Sequence, residues 1–181
     1  MKAGDIVLVR GKGWFANRIL AVASELDGEL AAVSHAGIFI CEKHVIEALF
    51  SRGVVTSLYP HDFSGVDYAI ASPKNITEYE REILALTALT FSSKTYGYLK
   101  IVGQLLDYLT KSRWFTRGNI TGDPICSYVV AESYRTIGKD FDVDAASATP
   151  DDIWDFVTTN PDKYEVVCAT PEMEKWLPKS E

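Results

Sequence analysis

The side chains able to do nucleophilic or proton-transfer chemistry near neutral pH are few in this 181-residue sequence, with 3 cysteines and 3 histidines. Cys126 stands out, in the stretch GDPICSYVVAESYRTIG spanning residues 122–138. Asp123 suits a helix N-cap, Pro124 the first helical position and Gly138 a stop, so the cysteine is expected in the first turn of a helix. There the unpaired N–H groups and the helix dipole favour thiolate over thiol, and the same N–H groups can receive a developing oxyanion. The competing role is that of a small buried hydrophobe, the usual fate of a free cysteine. Cys41, ending one apolar strand, and Cys168, inside another, fit that role better.

A thiol nucleophile requires a group that accepts and returns a proton, and imidazole does both. His44 adjoins Glu42 and Lys43 in what reads as an exposed turn, and His61 follows Tyr59 and Pro60 in a loop. His35 differs, because SHAGIFI places it at the edge of an apolar run, beside small residues that let a helix or substrate approach closely. A purely structural histidine at a strand end is the alternative. The histidines lack the clustered spacing of a zinc site and no CxxC occurs, so neither metal nor cofactor is expected. An odd cysteine count without paired spacing argues against a disulfide framework.

The elements that must position these residues are legible from pattern. Strands are expected at DIVLVR (5–10), SHAGIFIC (34–41), HVIEALF (44–50), GVVTSLY (53–59), VDYAIAS (66–72) and YEVVCAT (164–170), each bounded by turn-forming residues. Helical spacing of Ile19, Leu20, Val22, Ala23 and Leu26 predicts a helix over 14–26. Thr77 and Glu80 form a capping box ahead of a stripe at Ile83, Leu84, Leu86 and Leu89. A further helix is expected over 96–110, followed by a polar loop over 111–123. In ATPDDIWDFV, Thr149 is the expected N-cap, Pro150 the first helical residue, and the two aspartates favour the positive helix end.

Composition narrows the function classes. With 47% hydrophobic and 24% charged residues, the chain reads as a single domain, 1–181, large enough for a real core. A net charge of -7, spread without long runs of one sign, disfavours nucleic acid and anionic membranes as partners. MKAGDIVLVRGKGWF lacks the apolar segment of a signal peptide, and no apolar run approaches membrane-spanning length, so a cytosolic start is expected, in a bacterium or an infected host.

Taken in order, GDIVLVR, a helix, SHAGIFI, VIEALFSRGVV, YGYLKI, PICSYVVAESY and TPDDIWD resemble the circularly permuted NlpC/P60 cysteine hydrolases of the YiiX type, within the papain-like superfamily. The resemblance runs over nearly the whole chain and includes the permuted order, histidine before cysteine. It implies an α+β fold with a small antiparallel sheet or half-barrel packed against the helix bearing the cysteine. By matching motif it implies Cys126 as nucleophile, His35 as base and Glu47, in VIEA, as the residue orienting the imidazole. Tyr98, in TYGYL, is implied as a cleft residue, with a plain core aromatic as the alternative, and Ser127 either contributes to substrate binding or stabilises the helix start.

The role of Glu47 depends on a hairpin register. A two-residue turn at Glu42 and Lys43 would oppose Glu47 to Ile38, on the face away from His35; a loop of Cys41, Glu42 and Lys43 would oppose it to Gly37, on the histidine's face. An exposed edge glutamate is the other possibility. The expected activity is thiol hydrolysis of an amide through an acyl-enzyme, with a cell-wall-type peptide or murein fragment as the first substrate to test. Two rivals stand: acyl transfer or lipid-ester hydrolysis, since the lecithin:retinol acyltransferase group shares the permuted order, and a binding or virion structural module without turnover.

Overall fold

The computed structural model describes residues 1–49, 52–92, 94 and 125–178. Among them the chain is α+β, with six strands in one antiparallel sheet and five α-helices. The strands are β1 (Ile6–Arg10), β2 (His35–Phe39), β3 (His44–Leu49), β4 (Gly53–Leu58), β5 (Asp67–Pro73) and β6 (Tyr164–Ala169), in the spatial order β4-β3-β2-β1-β5-β6. The helices are α1 (Trp14–Asp27), α2 (Glu78–Thr90), α3 (Cys126–Arg135), α4 (Pro150–Thr159) and the single turn α5 (Pro171–Glu174). A 3-10 turn at His61–Phe63 and α5 are elements that sequence pattern did not announce, both being too short for a periodic signal. The expected helix over 96–110 and the loop over 111–123 lie outside the described residues.

Period-two alternation sorts the sheet into two faces. Ile6, Leu8, Ala36, Ile38, Ile46, Ala48, Ala69 and Ala71 face the main core, which they share with residues of α2, α3 and α4. Val7, Val9, Phe39, Val45 and Ile70 face the other way, where Phe63, Tyr59 and Tyr68 cover them.

Local signals hold the helix starts. Thr77 and Glu80 cap α2 reciprocally, and Thr149 forms the same box with Asp152 at the start of α4. The stripe read on α2 is corrected in part: Arg81, Leu84 and Ala88 are buried, whereas Leu86 and Leu89 are exposed. The charged Arg81 turns inward because Asp5 pairs with it at 3.2 Å and the carbonyls of Ala3 and Pro73 accept two further N–H groups.

The start of the cysteine helix also differs from expectation. Ile125, in extended conformation, is the N-cap, and Cys126 is the first helical residue; Asp123 and Pro124 lie outside the described residues. α3 ends at Arg135, and Gly138 follows in the left-handed conformation with its N–H donated to the Arg135 carbonyl. Both ends of α3 are tied down from within the core. The Ser127 hydroxyl donates to the Ala148 carbonyl at 2.6 Å, and the Tyr134 hydroxyl donates to the Gly4 carbonyl at 2.6 Å.

Candidate active site

Residues 41–43 form a three-residue loop between β2 and β3, and Gly37 pairs with Glu47, Ile38 with Ile46 and Phe39 with Val45. This register places Glu47 on the face of His35. The carboxylate then reaches diagonally across the pair, and His35 Nε2 lies 2.6 Å from Glu47 Oε2. On the opposite side Glu47 pairs with Val55, which makes Ser57 its diagonal neighbour on β4; the Ser57 hydroxyl donates to Glu47 Oε1. Glu47 is thus buried, not an exposed edge residue, and each carboxylate oxygen has a partner. Ser57 escaped sequence reading because GVVTSLY carries no motif around it, and its importance follows from strand pairing alone.

Gly37, between His35 and Phe39 on the same face, is closely packed by residues of β1 and β3. A Cβ there would lie 2.8 Å from Val45 Cγ1, 3.1 Å from Val7 Cγ1 and 3.2 Å from the Ile46 carbonyl oxygen. Gly37→Ala is therefore expected to lower stability by about 1–3 kcal/mol, as overpacked sites do. A urea titration checks this, and an unchanged midpoint would contradict the close packing.

α3 packs on the opposite face of the sheet, yet Cys126, its first residue, lies near enough to His35 for the two side chains to interact. With Nε2 committed to Glu47, His35 also interacts electrostatically with the Cys126 sulfur. The backbone N–H groups of Ala36 and Ser127 also favour the charged form of the sulfur. An isoleucine N-cap offers no side-chain oxygen to the first turn of α3.

The electrostatics follow from this contact chain. Burial acts to raise the Cys126 pKa, but the imidazolium charge, its hydrogen bond and the two backbone N–H groups prevail and lower it. For His35, burial acts to lower the pKa; the thiolate's charge and hydrogen bond, then those of Glu47, outweigh burial and raise it to about 10. Burial likewise pushes the Glu47 carboxyl up, and its bonds to His35 and Ser57 more than offset this, leaving it below the usual value. Each of the three shifts runs toward the charged form of its group, and the titrations belong to the coupled set.

The remaining sequence candidates fall outside this cluster. Ser127 is fully buried with its hydroxyl on the Ala148 carbonyl, so it anchors the helix start and does not present a substrate contact. Tyr98 lies outside the described residues. Cys41 is exposed in the hairpin loop, beyond the end of β2, with Sγ 3.2 Å from His44 Nδ1; Cys168 is half-buried in β6. His61 is exposed and bonds Asp62. No group of three or more metal-ligating side chains is found among the described residues, nor any helix long and apolar enough to cross a membrane.

No protein-family model matches the chain, and no curated protein matches its sequence.

Proposed function

We propose that this protein is a thiol hydrolase that cleaves an amide bond through an acyl-enzyme, with a papain-like, permuted NlpC/P60-type arrangement of Cys126, His35 and Glu47. One observation carries the reading: a cysteine at a helix N-terminus interacts with a histidine that is bonded to a buried carboxylate. The buried carboxylate is costly to keep and has no evident purpose in a passive binding module, which favours catalysis over that alternative.

In the first half-reaction the Cys126 thiolate attacks the amide carbon, and a tetrahedral oxyanion forms. The His35 imidazolium then gives its proton to the departing nitrogen, the C–N bond breaks, and an amine leaves behind a thioester. In the second half, neutral His35 removes a proton from water, the resulting hydroxide attacks the thioester, the C–S bond breaks to return the Cys126 thiolate, and the carboxylic acid product leaves. Glu47 holds the ring so that one nitrogen always faces sulfur, and it stabilises the cationic state between the two halves. A peptide amide of the cell-wall type is the substrate class to which the sequence resemblance points.

Brief treatment with iodoacetamide at pH 6, followed by peptide mapping, tests the site without knowledge of the substrate. Cys126 is expected to be alkylated at least tenfold faster than the exposed Cys41, because only Cys126 joins a helix N-terminus to a neighbouring imidazole that favours its thiolate. Equal or faster labelling of Cys41 or Cys168 would remove the basis for the mechanism. Mass spectrometry of the protein incubated with murein peptides or with lipid acyl donors then distinguishes amide hydrolysis from acyl transfer by the mass left on Cys126.

A further inference from the structure

The two segments that carry the reacting groups both lean on the first turn of α4. Asp151 occupies the second helical position and is buried, and its Oδ1 accepts the backbone N–H groups of Ala32 at 2.8 Å and Val33 at 3.1 Å. Its neighbour Asp152 caps the helix with Thr149, so the adjacent acids in TPDD divide their work. Residues 31–34 belong to no helix or strand and run straight into His35, and these two buried N–H groups obtain from the carboxylate the partner that a ladder would otherwise supply.

The same segment is clamped at its carbonyls. Arg10 Nη1 donates to the carbonyls of Ala31 at 2.9 Å and Ala32 at 2.7 Å, while its guanidinium lies 4.4 Å from the centre of the Trp176 ring. The Gly11 N–H donates to Ser34 Oγ at 3.0 Å. On the other side of the site, Ser127 donates to the Ala148 carbonyl, next to the N-cap of α4. Residues 148–151 therefore bind the neighbour of the nucleophile and the lead-in to the histidine at once.

We propose that Asp151 is a positioning residue: through Ala32 and Val33 it sets where His35 stands relative to Cys126, with Ser127 tying the nucleophile to the same turn. The proposal rests on the reading of Cys126 and His35 as the reacting pair. A misplacement of about 1 Å in such a pair costs on the order of a hundredfold in rate, so a rigid shared support has a direct chemical consequence.

The test is the pH profile of Cys126 alkylation by iodoacetamide, read by peptide mass spectrometry from pH 5 to 10, together with the thermal midpoint. Wild type, Asp151→Ala, Asp151→Asn and Ser127→Ala are compared. Asp151→Ala is expected to raise the alkylation midpoint by about one pH unit, a roughly tenfold slower reaction at pH values well below the wild-type midpoint, with the same limiting rate at high pH. Asp151→Asn is expected to keep the wild-type profile, because a single amide oxygen can accept both N–H groups as Oδ1 does now. An alanine variant that melts earlier but keeps the wild-type midpoint makes Asp151 merely structural and overturns the proposal. So does an asparagine variant shifted as far as alanine, since charge and not position would then be responsible. Should Asp151→Ala fail to fold, Ser127→Ala decides: an upward shift supports the shared support, and an unchanged midpoint overturns it. An ordinary thiol midpoint in the wild type is a separate result, which ends the thiol-hydrolase reading and this proposal with it.

Discussion

Cys126→Ala and His35→Ala are each expected to abolish turnover of an acyl substrate, with losses of roughly ten-thousandfold or more, and the double variant to be hardly worse than either alone. The reason is that nucleophile and base form one chemical unit: without the imidazole the thiolate loses the charge that stabilises it, and without the sulfur the imidazole has nothing to activate. The two variants should differ in stability. Alanine in place of Cys126 removes a small group at the start of α3, whereas alanine in place of His35 strips a buried carboxylate of its ion-pair partner and leaves Ser57 as its remaining bond. Glu47 is then expected to take up a proton at a pH where it is now ionised, so the His35→Ala protein should lose more stability at pH 8 than at pH 5. Rates and thermal midpoints of the four proteins check both statements. Multiplicative losses in the double variant would contradict the pairing, and activity retained in Cys126→Ala would end it.

Glu47→Gln is expected to cost less than loss of the nucleophile but to leave a clear mark on it. Removing the charge of the orienting acid in a serine-protease triad lowers the rate by about ten-thousandfold. Here glutamine can still accept the His35 N–H through its amide oxygen, and the Ser57 hydroxyl can rotate to accept from the amide nitrogen, so a smaller loss is expected with little unfolding. The direction of the pH effect follows from the signs. Glu47 raises the His35 pKa, so its neutralisation lowers that pKa; less imidazolium then faces the sulfur, and the Cys126 pKa rises. The window in which thiolate and imidazolium coexist should narrow from both sides, its upper limit falling below the present value of about 10. Alkylation of Cys126 across pH reads the lower limit and the turnover profile the upper one. Identical profiles in wild type and Glu47→Gln would mean that the carboxylate does not act on the histidine.

The elements were legible in the sequence wherever a local interaction defines them. The capping boxes of Thr77 with Glu80 and of Thr149 at α4 span three residues, and the six strands follow from alternation and turn residues within each segment. The candidate nucleophile and base could be singled out in the same way, by residue type and position in an element. Strand pairing was not local information. Both hairpin loops, of two and of three residues, are compatible with ICEKHV, and the choice between them moves Glu47 from one face of the sheet to the other. Packing of the two faces selects the longer loop, by placing Val45 with Val7 and Phe39, and Ile46 with Ile38 and Leu8.

Three further features were decided by tertiary structure alone. The start of α3 at Cys126, past the better capping residue Asp123, puts the sulfur itself at the helix end. The inward turn of Arg81, with Leu86 and Leu89 left outside, depends on Asp5, seventy-six residues away. Ser57 and Asp151 took on their roles because strands and helices distant in sequence bring them to Glu47 and to the lead-in of His35. A hydrogen bond within one turn or one strand is written in adjacent residues, and so the sequence by itself determined the elements and the reactive side chains; a bond across 119 positions, such as that from Ala32 to Asp151, exists only once the core has closed.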